Sequence, residues 1–195
     1  MRKGNMIETT EKPWEIERYK LVILGDATVG KSSIVASYTM GKDLSYVEST
    51  LVASFTSIYL DKSVRFDTWE VAGQERWRDL APIYYRGAQA ALIVYDVQNP
   101  ESLNIAKGWI EELRKKLRKD LVIAIAANKV DLWIDGCIDS QDVQNYALQN
   151  GFIFMETSVK TGENISALFS AIGEELELRQ SNNPHINSND KCIIH

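Results

Sequence analysis

The stretch "YKLVILGDATVGKSSIV", Tyr19–Val35, decides the fold class. Its first part, up to Gly25, is a short apolar run rich in strand-forming residues, and it passes directly into "GDATVGKS", Gly25–Ser32. That octapeptide has the pattern G-x-x-x-x-G-K-S between a strand and the start of a helix, the context in which such a loop cradles phosphate. Gly25 and Gly30 let the backbone wrap closely enough for its amides to point inward. The helix opening near Lys31 aims the positive end of its dipole at the same place. Asp26, Ala27, Thr28, Val29, Gly30, Lys31, Ser32 and Ser33 therefore form the expected phosphate site. Lys31 is expected to reach the β- and γ-phosphates of a nucleotide, and the Ser32 hydroxyl is a hard oxygen ligand suited to Mg²⁺. The plainer alternative is a glycine-containing loop with an exposed lysine.

Outward from this loop, short β-rich runs alternate with longer stretches of helical period, which reads as an α/β protein with a mostly parallel sheet. The strand candidates are "YKLVILG", "VASFTSIYL", "SVRFDTW", "AALIVYDV", "LVIAIAAN" and "FIFMET". Asp61 and Lys62 join the second and third as a hairpin, so a six-stranded sheet with one antiparallel strand is expected. Leu103, Ala106, Ile110, Leu113 and Leu117 fall at three- and four-residue steps, as do Ile165, Leu168, Phe169, Ile172 and Leu176. Each set gives an apolar stripe that can cover one sheet face, which places helices on both faces. The expected organisation is one domain over residues 19–179, a flexible N-terminal extension (1–18) and a flexible polar C-terminal tail (180–195).

Composition narrows the function. The chain has 195 residues, 45% apolar and 25% charged, enough for one substantial core. A net charge of -5 argues against a nucleic-acid polymer as main partner. The apolar runs fall short of the roughly 20 residues that span a bilayer. The start, "MRKGNMIETTEKPWEIER", has no apolar core, and Arg2 stands where N-myristoylation needs glycine. The reading is therefore a chain made in the cytosol that stays on that side. Two cysteines, Cys137 and Cys192, cannot by themselves make a metal site or, in the cytosol, a persistent disulfide.

"NKVD", Asn128–Asp131, follows the strand candidate "LVIAIAA". An aspartate beside a purine edge accepts two hydrogen bonds from the N–H and NH₂ of guanine, whereas adenine presents an acceptor there. That favours GTP over ATP. Lys129 can lay its methylene stem along the purine face, and Asn128 can tie neighbouring loops together. "ETSVKTG", Glu156–Gly162, follows the last strand candidate and can join the same edge, where ligands of open α/β sheets bind.

Taken together, these residues resemble the small GTPases of the Ras superfamily from about Tyr19 to Arg179. "YVESTLVASF", "AGQERWRDLAPIYYRGAQAALIVYDV", "NKVDL" and "METSVKTGENI" narrow the resemblance to the Rab branch, and "LAPIYYRGAQAA" is most similar to the early-endosomal Rab group. The resemblance implies Lys31 on the phosphates and Ser32 with Thr50 on Mg²⁺. It also implies that the Thr50 and Gly73 amides meet the γ-phosphate and that Gln74 orients the attacking water. Asn128, Lys129 and Asp131 would take guanine, assisted by Ser158, Val159 and Lys160. The implied activity is slow GTP hydrolysis to GDP, completed by an activating protein and reset by an exchange factor. Switch loops ordered by the γ-phosphate would recruit vesicle-traffic effectors and relax after hydrolysis. The implied protein is a monomer of the cytosol and of the cytoplasmic face of endosomal or other vesicle membranes.

The sequence departs from the family pattern at four places. D-T-A-G-Q reads Glu70, Val71, Ala72, Gly73, Gln74, so the acid expected at the metal is Glu70, and Asp67 is expected to face solvent. Glu70 adds one methylene, about 1.5 Å of carbon–carbon bond, either replacing a water of the ion or displacing the ion. Val52 stands where glycine is usual and would strain the backbone if φ there were positive. Asp43 replaces an aromatic that flanks guanine, a place Leu44 or Tyr46 could fill. The tail ends in "CIIH", with one candidate prenylation site, Cys192, against the alternative of a simple exposed thiol. One lipid with only Lys191 nearby gives marginal, reversible membrane binding. Two rival readings follow from these residues: a GTP-binding module in which Glu70 and Val71 have impaired hydrolysis, and an ATP-using P-loop enzyme such as a small kinase.

Overall fold

The computed structural model describes residues 16–41, 50–134 and 138–182. Asp43, Leu44, Tyr46, Cys137 and Cys192, on which some sequence expectations fall, lie outside the described residues. The strands are β1 (Glu17–Gly25), β2 (Ala53–Tyr59), β3 (Val64–Val71), β4 (Ala90–Asp96), β5 (Val122–Asn128) and β6 (Ile153–Thr157). The helices are α1 (Lys31–Met40), α2 (Ala81–Tyr85), α3 (Pro100–Lys116), α4 (Ser140–Asn150) and α5 (Ile165–Asn182), with short 3₁₀ segments at Glu75–Leu80 and Val130–Leu132.

The sheet order is β2-β3-β1-β4-β5-β6. β2 and β3 are the antiparallel hairpin, and every other pairing is parallel. Period-two alternation splits the central strands between two cores. Leu21, Ile23, Leu92, Val94, Ala124 and Ala126 face α1 and α5, where Ile34, Ile165, Phe169 and Ile172 meet them. Val22, Leu24, Ile93, Tyr95, Ile123 and Ile125 face α2, α3 and α4, where Tyr85, Ile110, Leu113 and Ala147 meet them. Both faces of β1, β4 and β5 are thus buried, which is why these strands read as unbroken apolar runs. The chain leaves β1 for one face and β4 for the other, so the crevice at their carboxyl ends is where a ligand site is expected.

Several boundaries differ from the sequence expectation. β1 begins at Glu17, paired with Val64, so two residues of the supposed N-terminal extension are strand. β3 runs on through Glu70 and Val71 because β2 offers Ser54 and Ala53 as ladder partners. α5 continues to Asn182. Its last turn is tied down: the Arg179 guanidinium donates to the Asp120 and Leu121 carbonyls at 3.0 and 3.2 Å, and the Tyr19 hydroxyl donates to Gln180. Residues 180–182 are therefore helix, although their polarity placed them in the expected flexible tail. On α3, Ala106, Ile110 and Leu113 are buried as expected, whereas Leu103 and Leu117 are only partly covered. Trp109 and Ser102 are buried instead, the latter because its hydroxyl joins the helix cap, donating to the Asn99 carbonyl at 2.7 Å.

Candidate functional site

The loop between β1 and α1 is shaped by two close approaches. Gly30 precedes α1 in the left-handed region (φ 98°), and a Cβ there would lie 2.4 Å from Asn128 Nδ2. Gly73 comes so near the loop that its Cβ would lie 2.2 Å from the Ala27 nitrogen. Both clashes are far inside van der Waals contact, so no side chain fits without moving backbone or a buried amide. α1 has no acidic residue in its first turn, which leaves its positive end available to an anion.

Lys31, only 5% exposed, donates from Nζ to the Asp26 carbonyl at 2.6 Å and to the Gly25 carbonyl at 3.3 Å. Burial pushes its pKa down, while the nearby carboxylates of Glu70 and Asp26 act in the opposite direction. A buried ammonium with few partners is stabilised by anionic oxygens brought to the same place. Facing it, Glu70 Oε1 accepts hydrogen bonds from Ser32 Oγ at 2.5 Å and Thr50 Oγ1 at 2.9 Å, and the two hydroxyls are 3.2 Å apart. The three side chains expected at a metal thus converge from α1, the segment before β2, and the end of β3. Asp67 is elsewhere, in an ion pair with Arg65, partly covered rather than fully solvent-facing.

Thr28, Gly30, Lys31, Ser32, Thr50, Glu70, Gly73 and Gln74 line one open cleft of about 220 Å³, together with Ala27, Ser33 and Ala72. Val29 sits in the core, 1% exposed, and its carbonyl is bonded to Asn128. Asp26 turns its carboxylate to the Ala27 amide at 2.7 Å. Gln74 is exposed at the lip, where its Oε1 accepts from Arg76 Nε at 2.9 Å. Val52 shows none of the strain considered for it. Among the described residues the non-glycine positions at positive φ are Thr28, Lys129 and Asn164, and the Val52 carbonyl accepts the Ala72 amide at 2.9 Å.

The second cluster lies at the ends of β4, β5 and β6. Asn128, 1% exposed, donates from Nδ2 to the Val29 carbonyl at 2.8 Å and accepts from Thr157 Oγ1 at 3.2 Å, so it does tie the phosphate loop to β6. Lys129 is left-handed (φ 70°), and its ammonium pairs with Asp96 at 2.7 Å. Asp131 accepts from Ser158 Oγ at 2.5 Å and faces Lys160 Nζ at 3.9 Å. Ser158 Oγ also accepts the Thr161 amide at 3.1 Å, fixing the turn, and Val159 packs partly against the core.

Asp96 and Thr157 were missed by the sequence reading. The signal was indirect: both end strands that pair with β5, and register places each beside Asn128. A further feature unread in the sequence is a row of aromatic rings. Phe55 and Trp69 lie 5.1 Å apart between centroids, Trp69 and Tyr84 5.5 Å apart, and exposed Leu51 and Ile83 belong to the flanking segments. A sequence model of the Ras family matches residues 20–178. The chain is also 44% identical over 173 residues to the Ras-related protein Rab-5A of Dictyostelium discoideum, covering 87% of this chain and 86% of that protein. With its cleft, its sheet order and these matches in agreement, the chain belongs to the Ras family and is a Rab-like small GTPase related to the early-endosomal Rabs.

Proposed function

We propose that the protein is a GTP/GDP switch of vesicle traffic, acting between the cytosol and the cytoplasmic face of endosomal or other vesicle membranes. The observation that carries this reading is the convergence of Lys31, Ser32, Thr50 and Glu70 on one cleft. Ser32, Thr50 and Glu70 would hold Mg²⁺. Among the described residues no group of three His, Cys, Asp or Glu could bind an ion, so the donor set is one carboxylate and two hydroxyls. Such a hard and incomplete set suits an ion that keeps waters and takes phosphate oxygens as its remaining ligands. When bound, the ion supplies charge neutralisation at the β- and γ-phosphate oxygens.

The chain's own residues do the rest. Lys31 and the amides of Thr28–Ser33 receive the phosphates, and Gly73, pressed against Ala27, brings its amide to the same wall. Gln74 orients the attacking water once its carbonyl leaves Arg76, an exchange that slows intrinsic turnover and gives an activating protein something to do. Asp131 selects guanine, preset by Ser158 and Lys160, while the Lys129 stem is steadied by Asp96. Thr50 connects the γ-phosphate region to β2, which bears Phe55. Effectors would then dock on the aromatic row Phe55, Trp69, Tyr84 when Thr50 is engaged, and an exchange factor would release GDP. A prenyl chain on Cys192 would provide weak, reversible membrane attachment for a monomer.

A second reading is a binding module with impaired hydrolysis, favoured by the buried contact of Glu70 with both hydroxyls. One experiment separates the readings. Nucleotide extracted from denatured protein and resolved by chromatography should be guanine nucleotide, and single-turnover assays should show slow GTP loss. ATP in the extract would refute the base assignment; GTP unchanged over many hours, with activating protein present, would leave the module. An unmodified Cys192 by mass spectrometry of protein from its native cell would remove the anchor.

A further inference from the structure

The segment Glu75–Leu80 follows Gln74 directly and buries none of its residues. Trp77 and Leu80 are partly covered, and the Trp77 indole nitrogen is enclosed without a hydrogen-bond partner, so the segment rests on incomplete apolar cover while it holds a residue at the lip of the cleft. Its polar attachment to α3 is Arg78, which reaches across to that helix. The Arg78 guanidinium lies over the Trp109 ring, 4.7 Å from its centroid, and Nη2 is 3.9 Å from Glu112 Oε2. At 3.9 Å the ion pair is too long for a hydrogen bond, so the ring carries the contact and the carboxylate aligns the guanidinium. Gly108 and Glu112 are one helical turn apart, and a Cβ at Gly108 would just touch Nη2 at 3.5 Å. The guanidinium thus lies beside the bare backbone of Gly108 on α3.

Glu112 is itself held in place. Its Oε1 accepts from the Tyr85 hydroxyl at 2.8 Å and from Lys116 Nζ at 2.9 Å, so it is a preset carboxylate. Tyr85 ends α2 and is 2% exposed. The stretch from Gln74 to Tyr85 is thus attached to α3 near both ends, through Tyr85 at one and Arg78 at the other.

We propose that Arg78 is a positioning residue for hydrolysis: its stacking on Trp109, aligned by Glu112, fixes the Glu75–Leu80 segment and so keeps Gln74 at the lip of the cleft. This rests on the role of Gln74 given above, and the test separates the two. In Arg78→Ala, GTP affinity stays within about twofold of wild type, since Arg78 does not line the cleft. The single-turnover hydrolysis constant falls about tenfold, as expected for a misplaced reacting group. Hydrogen exchange at residues 74–80 accelerates while β1 and α5 keep wild-type protection. Arg78→Lys recovers part of the loss, because an ammonium keeps the charge but not the planar stacking. In a Gln74→Ala background, Arg78→Ala costs nothing further in hydrolysis.

Wild-type exchange at 74–80 in Arg78→Ala overturns the proposal. So does wild-type hydrolysis in Arg78→Ala when Gln74→Ala alone is slow. If Gln74→Ala hydrolyses normally, the catalytic assignment of Gln74 fails and the link from Arg78 to hydrolysis fails with it; the exchange result then decides whether Arg78 fixes the segment.

Discussion

On one side of the cleft Asn128 is 1% exposed and bonded to both Val29 and Thr157, whereas on the other the Glu75–Leu80 segment buries none of its residues. The first wall is backbone wrapped around a buried ammonium and locked by a buried amide. The second is a short segment held to α3 by an arginine stacked on a ring. Buried polar bonds are costly to break and do not compete with water, while exposed cation–ring contacts contribute about 0.5–1 kcal/mol. The contrast matches the division of labour in a switch: phosphate binding needs a wall that stays, and hydrolysis and partner recognition need one that rearranges.

The largest test removes the charge from the rigid wall. Lys31→Met should weaken GTP binding about 100-fold, roughly 3 kcal/mol, the upper range for hydrogen bonds to a charged group. Titration with a fluorescent guanine nucleotide measures it, and a loss under tenfold would mean the backbone amides suffice. Next, Asn128→Ala takes the amide from the Val29 carbonyl and leaves the Thr157 hydroxyl only its longer bond to the Ala127 carbonyl at 3.5 Å. Urea denaturation should show a loss of about 2 kcal/mol.

The switch side should respond more in rate than in stability. Glu70→Asp shortens the side chain that now touches Ser32 and Thr50 together, so the Mg²⁺ concentration needed to retain nucleotide should shift by about tenfold, near 1.4 kcal/mol. The direction tells whether the longer acid helps or hinders the ion, and no shift would remove Glu70 from the metal site. Val52→Gly should restore nothing: with ordinary φ at this position, the change costs about 0.5–1 kcal/mol of stability through backbone entropy. Faster nucleotide release together with unchanged stability would contradict that.

The smallest effect concerns the α3 attachment. Burial alone would raise the pKa of Glu112, but the hydrogen bonds from Lys116 and Tyr85 and the charges of Lys116 and Arg78 outweigh it, and the value is lowered. A carboxylate with a depressed folded pKa stabilises the fold fully above its unfolded value and loses that contribution as pH falls through the folded value. The stability gap between wild type and Glu112→Gln should therefore be constant near neutrality and close at acid pH, below the ordinary value of 4.5. A gap in urea midpoints that stays undiminished as the pH is taken progressively further below 4.5 would show that packing, not charge, accounts for it.

Much of the rigid wall was readable beforehand because it is local: Gly25–Ser32 carries its turn, its lysine and its helix start within one octapeptide. The strands of the central sheet were equally plain, since burial on both faces demands unbroken apolar runs. What escaped reading joins distant residues. Asn128 and Val29 are 99 positions apart, and Lys129 meets Asp96 only because β4 and β5 pair in register. The end of β3 was missed because Glu70 is a poor strand former whose place is decided by its partner Ser54. The end of α5 was missed because its last turn is polar and held by Tyr19 and Arg179 rather than by an apolar stripe.

By itself the sequence determined the fold class and the pattern of the phosphate loop, and it set the expectations that the base is guanine and that Glu70 rather than Asp67 is the metal acid, since each depends on residue type and spacing along one segment. Only the tertiary structure decided that Glu70 touches Ser32 and Thr50 at once, that Val52 is unstrained, and that Arg78 lies on Trp109. Those contacts depend on how strands and helices are stacked, and the energy that stacks them comes from burial of residues that take no part in the site.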